Sequence, residues 1–219
     1  MSLFSDIRLA KQRDPAARNG LEIFLTYPGL HAVWSHRIAH FLWRARLKLI
    51  ARLASQFNRF VTGIEIHPAA VIGRRFFIDH GLGVVVGATS IVGDDVTLYQ
   101  GVTLGGTGKE KGKRHPTLED RVVVAAGAKV LGNITIGHDS NVGAGAVVIK
   151  SVPPNSTVVG VPGRFVVHRG REIPTTDLHH ERLPDPVAEM FRHIERRLDG
   201  LDDEIGKYEG SQARGHQGS

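Results

Sequence analysis

The chain has 219 residues, 41% of them hydrophobic and 23% charged, with a formal net charge of +6. That balance excludes a chain disordered throughout, and the charge permits an anionic partner. No long Lys/Arg block or aromatic-basic interleaving is present, so nucleic acid is not expected. Cysteine is absent, which removes disulfides, thiolate metal sites and a cysteine nucleophile, and fits a cytoplasmic protein.

Residues 1–62 read as an N-terminal helical region. The opening MSLFSDIRLAKQRD carries charge early and has no apolar core of signal-peptide length. Asp14-Pro15 reads as a helix N-cap followed by proline at the first helical position. Tyr27-Pro28-Gly29 marks a break. Over residues 30–60, Leu30, Val33, Trp34, Ile38, Phe41, Leu42, Leu47, Ile50, Leu53 and Phe57 have helical spacing. His31, His36, Arg37, His40, Arg44, Arg46 and Lys48 interrupt the stretch. No run therefore reaches the ~20 uncharged residues of a membrane span, and no membrane partner is expected. The helices are expected to cap the open edge of the segment that follows.

From Ile66 an aliphatic residue recurs every sixth position: Ile66, Ile72, Ile78, then, after a two-residue slip, Val86, Val92, Leu98 and Leu104. The series resumes at Leu118, Val124, Val130, Ile136, Val142 and Val148, and glycine often follows, as at Gly73, Gly87, Gly93, Gly105, Gly137 and Gly143. A helical period would scatter these residues around a cylinder. A period of six suits a three-sided coil with one short strand per side and the aliphatic residue pointing inward. Residues 63–165 are therefore expected to form a mainly β domain, a parallel β-helix of hexapeptide type with about four to five coils. The segment GGTGKEKGKRHPT, residues 105–117, interrupts the repeat, which resumes at Leu118 beyond it. It must leave the coil and return, and its Lys109, Lys111, Lys113, Arg114 and His115 suit a lid over an anionic ligand.

Pro153-Pro154 and Pro162 close the coil, and residues 166–219 form a tail. Within it a helix is expected at about 185–206, where Val187, Phe191, Ile194, Leu198, Leu201 and Ile205 step as a heptad seam. That seam suits either a short coiled coil between subunits or a helix folded back on its own subunit.

Among 12 histidines, His80 stands out because the repeat slips beside it, in IDHG, which predicts a distorted coil exposing the ring in a cleft. Histidine suits a base that must take and return a proton near neutral pH.

The segments GIEIHPAAVIGRRFFIDHG, QGVTLGGTGKEKGKRHP, GAKVLGNITIG and VVGVPGR, with DPA at 14–16 and YPGLHAVWSHRIAHFLW at 27–43, resemble the serine O-acetyltransferase family across residues 14–164. The resemblance implies a left-handed β-helix and transfer of acetyl from acetyl-CoA to the hydroxyl of L-serine. The product, O-acetylserine, feeds cysteine synthesis. His80 matches the family's catalytic base. The family's aspartate fifteen residues upstream is Glu65 here, a departure in side-chain length, and one coil of separation would put Glu65 directly below His80. Asp14 and Asp79 match acidic contacts to the substrate, and Arg114 and His115 match the basic side. Backbone groups of Gly105, Gly106 and Thr107 suit the pantetheine arm or an oxyanion. Ala126 and Ala144 allow close approach of the arm and adenine, and Lys109, Lys111, Lys113 or Lys129 suit the phosphates. No metal is expected. The resemblance also implies a homotrimer with sites between neighbouring prisms, and cysteine feedback inhibition. The terminal isoleucine by which some members bind O-acetylserine sulfhydrylase is replaced by Gln217-Gly218-Ser219, so binding by that route is not expected.

Three competing readings differ in what they need. An acetyltransferase for a sugar or antibiotic hydroxyl would share His80 without needing Asp14 and Asp79. A γ-type carbonic anhydrase on the same fold would need three converging zinc histidines. A noncatalytic scaffold would tolerate loss of His80.

Overall fold

A computed structural model of the protein describes residues 3–108 and 111–166, together with Arg196, Arg197 and Gly200. The chain divides into two compact units, Met1–Leu183 and Pro184–Ser219. In the second, Arg196, Arg197 and Gly200 are helical, and the positions of the heptad seam lie outside the described residues.

Four helices open the first unit: α1 (Leu3–Arg13), α2 (Gly20–Thr26), α3 (Pro28–Arg44) and α4 (Lys48–Thr62). Asp14-Pro15 does not start a helix, contrary to the sequence expectation. The Asp14 amide closes α1 on the Ala10 carbonyl at 2.9 Å. The Asp14 carboxylate captures the Ala16 N–H at 2.7 Å, which makes a side-chain turn in place of a cap. Asn19 caps α2 instead, accepting from the Glu22 N–H at 2.9 Å. The break at Tyr27-Pro28-Gly29 is as expected: Tyr27 closes α2 and precedes Pro28 in the first turn of α3. Arg46, at φ 66°, separates α3 from α4. Asp6 of α1 is buried and ties α1 to α3, accepting from Trp34 Nε1 at 3.0 Å and Arg37 Nη1 at 2.6 Å. No helix among the described residues is long and apolar enough to cross a membrane.

Much of the apolar stripe of residues 30–60 is not buried, although Val33 is. Ile38, Phe41, Leu47, Ile50, Leu53 and Phe57 are exposed, Phe57 at 70%. The buried positions are Gly29, Ala32, Val33, His36 and Ala39 of α3, and Ala51, Ser55, Asn58 and Thr62 of α4. Small and polar residues let the helix backbones come close to the coil edge. The Ser55 hydroxyl donates to the Ile66 carbonyl at 2.8 Å, which satisfies one of the acceptors that an open coil end presents. Ala32 and Val33 join the core of the coil directly, so α3 does cap it.

The rest of the unit is a three-faced left-handed parallel β-helix. Face 1 stacks β1 (Glu65–Ile66), β4 (Val85–Val86), β7 (Thr103–Gly105), β10 (Lys129–Leu131) and β13 (Val147–Val148). Face 2 stacks β2 (Val71–Ile72), β5 (Ile91–Val92), β8 (Thr117–Leu118) and β11 (Thr135–Ile136). Face 3 stacks β3 (Phe77–Ile78), β6 (Thr97–Leu98), β9 (Val123–Val124), β12 (Asn141–Val142) and β14 (Thr157–Val159), closed by the antiparallel β15 (Arg164–Val166). The sixth-position aliphatics form one continuous core, with Val86, Leu98, Leu104, Leu118, Val124, Val130 and Ile136 all at 0% exposure and only Ile72 partly buried. Each such burial contributes about 1.5–3 kcal/mol.

Register explains the slip and the loop. Glu65 pairs with Val85 and Val85 with Thr103, so the first coil is two residues longer than the second. The extra residues lie at His80–Gly83, where the chain passes from face 3 to face 1. Between β7 and β8 the loop leaves the edge joining faces 1 and 2, and β8 then pairs with β5, Thr117 opposite Ile91.

Candidate active site

His80 stands on the edge between faces 3 and 1, exposed, with φ at 56°. The left-handed backbone is uncommon for a non-glycine residue and costs of order 1 kcal/mol. It is fixed from both sides. The Asp79 amide donates to the Leu98 carbonyl at 2.9 Å, and the Gly81 amide returns to the Asp79 carbonyl at 2.6 Å. The repeat slip therefore yields the exposed ring that the sequence predicts. Asp79 is half-buried, and burial pushes its carboxyl up from the usual range. Neighbouring Asp14 pushes the same way, and His80 opposes. Asp79 thus lies within electrostatic range of both Asp14 and His80. Two phenols border it: burial and the nearby Asp14 and Asp79 charges raise Tyr27 and Tyr99 to about 12.

Asp14 reaches this edge from the turn after α1. Its neighbour Arg13 donates to the Asp95 carbonyl at 3.0 Å and to the Thr97 hydroxyl, with Asp95 Oδ1 at 3.6 Å. Thr97 is the rung partner of Phe77, two residues before Asp79. The Tyr27 hydroxyl donates to Asp14 Oδ2.

The register corrects the placement of Glu65. Its rung partner is Val85 rather than His80, because even a coil without the slip, Val85 to Thr103, is longer than the fifteen-residue spacing. Its carboxylate pairs with Arg59 of α4 at 3.2 Å. Glu65 still lies just past the same edge, since the Gly83 amide bonds to the Gly63 carbonyl at 2.9 Å.

Arg114 and His115 lie on a different edge of the same prism, between faces 1 and 2, at the end of the loop. His115 is buried against Gly87, where an added Cβ would lie 1.8 Å from its Cδ2. Its Nδ1 takes the Thr89 hydroxyl at 2.8 Å and faces the Thr89 N–H at 3.3 Å. A nitrogen that receives an N–H carries no proton, so the ring is neutral and Nε2 is its donor. Burial, then Arg114 and Lys113, push its pKa down. His115 therefore offers a neutral N–H at this edge, beside the Arg114 guanidinium. The Thr89 hydroxyl also accepts the Arg114 and His115 amides at 3.0 and 3.1 Å, and so holds the loop end in place. Among the described residues no ion pair joins Arg114 to Glu119 or Asp120, whose carboxylates accept the amides of His138 at 2.9 Å and Asp94 at 2.8 Å.

Gly105 ends β7, and Gly106 packs on the same histidine, an added Cβ lying 3.1 Å from His115 Nε2. Thr107 follows, its Oγ1 facing Gly132. Lys109 lies outside the described residues. Lys113 and Lys129 spend their ammonium groups on backbone carbonyls, those of Thr89 and Gly101. Ala126 and Ala144 sit on successive rungs of the His80 edge, linked by the Gly145 amide to the Ala126 carbonyl at 2.8 Å. The glycines that follow them, Gly127 and Gly145, have φ of 71° and 67° and open space where a Cβ would stand. The edge carrying His80 is thus bare of side chains along these rungs. Among the described residues no group of three or more histidine, aspartate and glutamate side chains is placed to hold a metal ion.

Sequence reasoning missed Arg13, Tyr27, Thr89 and Arg59. Arg13 and Tyr27 had a faint signal, adjacency to Asp14 and to the helix break. Thr89 and Arg59 had none: Thr89 meets His115 only across coils, and Arg59 meets Glu65 only where α4 packs beside β1.

No family model matches the chain. It is 58% identical over 203 residues to the serine acetyltransferase of Bacillus pumilus, covering 93% of each chain. Its fold is similar to that of the Neisseria gonorrhoeae serine acetyltransferase crystallised with serine, with a TM-score of 0.72 at 41% identity over 75% of this chain and 67% of that one. It is also similar to a serine acetyltransferase in complex with cysteine, with a TM-score of 0.73 at 44% identity over 74% of this chain and 67% of that one.

Proposed function

The chain belongs to the serine acetyltransferase family, and from that premise we propose how its own residues carry out the reaction. It is an acyltransferase that moves acetyl from acetyl-CoA to the L-serine hydroxyl, giving O-acetylserine and CoA. His80 takes the hydroxyl proton as the serine oxygen adds to the thioester carbonyl. The tetrahedral adduct collapses, the carbon–sulfur bond breaks, and the imidazolium returns its proton to the CoA sulfur. Asp14 and Asp79 hold the serine ammonium, Arg114 holds its carboxylate, and His115 Nε2–H donates a further hydrogen bond. Glu65 orients His80 once its carboxylate turns from Arg59 toward the edge. Acetyl-CoA lies along the bare edge past Ala126 and Ala144, with the backbone of Gly105, Gly106 and Thr107 beside its arm and Lys109 toward its phosphates. Cysteine, which carries the same ammonium and carboxylate, occupies the serine subsite as an inhibitor.

The observation that supports this reading is the gathering of two carboxylates and an exposed imidazole on one prism edge. A neutral sugar acceptor would bring no cation to either carboxylate. Arg114 and His115 stand on another edge, so a site using both sets is completed between neighbouring subunits of a homotrimer. Serine-dependent CoA release by His80→Ala tests the base assignment. Loss by several orders of magnitude is expected.

A further inference from the structure

The carboxylate of Asp14 is held in a way that serine binding alone does not require. Its Oδ1 accepts the Ala16 N–H at 2.7 Å and its Oδ2 accepts the Tyr27 hydroxyl. The backbone beside it is fixed on both sides, by the Asp14 amide on the Ala10 carbonyl at 2.9 Å and the Ala17 amide on the Asp14 carbonyl at 3.1 Å. Arg13, its side chain 16% exposed, pins this turn to face 3 through the Asp95 carbonyl at 3.0 Å, the Thr97 hydroxyl and the Asp95 carboxylate. That anchor lies within one rung of Asp79, whose own amide bonds to the Leu98 carbonyl, the residue after Thr97.

From this arrangement we infer that Tyr27 and Arg13 are positioning residues for serine: Tyr27 fixes the rotamer of the Asp14 carboxylate, and Arg13 fixes its distance from Asp79. The inference rests on the reading that Asp14 and Asp79 bind the substrate ammonium. Each carboxylate oxygen offers two lone pairs. One on each is taken by an internal donor, which leaves one on each for an ammonium in a defined direction. Tyr27, raised to about 12, remains a protonated donor across the working pH range. Arg13 is adjacent to Asp14, yet its guanidinium is committed to Asp95 and Thr97. The Asp14 charge is therefore left for the substrate.

The test compares steady-state kinetics of Tyr27→Phe, Arg13→Gln, Arg13→Lys and Asp14→Asn. Tyr27→Phe deletes one hydroxyl and should raise the serine KM about tenfold, the worth of one charge-assisted hydrogen bond. Its kcat, its acetyl-CoA KM and its Tm should stay near wild type. Arg13→Gln should raise the serine KM more, and Arg13→Lys should recover part of the loss. In the Asp14→Asn background Tyr27→Phe should add almost nothing, because a positioning residue has nothing left to position. Should Asp14→Asn raise the serine KM while Tyr27→Phe leaves it unchanged, the positioning role is wrong and the ammonium site stands. If Asp14→Asn itself leaves serine binding intact, the ammonium site is wrong. Additive losses in the double variant would reduce Tyr27 to a structural residue and overturn the inference.

Discussion

Gly29→Ala separates two physical effects of opposite sign. In an exposed helix, replacing glycine by alanine stabilises by about 1 kcal/mol. Gly29 instead sits in the first turn of α3 with its α-carbon over face 3. An added Cβ would lie 2.1 Å from the Ile78 carbonyl oxygen and 3.0 Å from the Ile78 Cβ. The obstacle is backbone, so no rotamer change relieves it, and α3 or the end of β3 must give by about 1 Å. Overpacking of this kind costs about 1–3 kcal/mol, which outweighs the gain in propensity. Net of the propensity gain, the Tm should fall by up to about 8 °C for a chain of this size. The same displacement parts Tyr27 and Asp14, carried before α3, from Asp79 and His80, which follow Ile78. A misplacement of about 1 Å can cost a hundredfold, so kcat/KM for serine should drop by about ten- to a hundredfold. Differential scanning calorimetry and CoA release measured with a thiol-reporting dye read the two effects. A Tm that rises, with unchanged kcat/KM, would refute the close approach of α3 to the coil.

Two further outcomes follow from burial and from topology. His36 is 5% exposed, and burial, ahead of His40, pushes its pKa down to about 4. Its stability contribution is complete above the unfolded value near 6.5 and is lost as pH falls toward 4, about 2 kcal/mol per chain by pH 5. Thermal melts should show at least that loss between pH 7.5 and 5, and His36→Leu should remove part of it, while His67, also pushed down to about 4 by burial, keeps the rest; an equal slope in the variant would count against the assignment. Co-expressed His80→Ala and Arg114→Ala chains should regain CoA release that neither has alone, since one edge of each prism stays intact. No recovery in mixed assemblies would place both residues in one subunit's site.

The coil was legible because its inward position recurs at a fixed interval, and Leu98, Leu118 and Ile136 fell where a six-residue period puts them. His80 was legible because the period slips beside it. Glu65 was misplaced because fifteen residues fall short of even an unslipped coil, and the slip lengthens this one further, to a rung partner at Val85. The orientation of α4 was not legible. A hydrophobic stripe such as Leu53 and Phe57 shows that a helix has two faces, but not which one meets a coil edge that needs small residues and a hydroxyl at Ser55. The neutral state of His115 depends on Thr89, a coil away in sequence and adjacent only after winding.

The central claim is that the His80 imidazole takes the proton from serine at the prism edge. Serine-dependent CoA release by His80→Ala, at saturating serine and acetyl-CoA, measures it directly. A kcat lowered by about three or more orders of magnitude, with a Tm near wild type and acetyl-CoA still bound, is the predicted result. Turnover within a few-fold of wild type would contradict it.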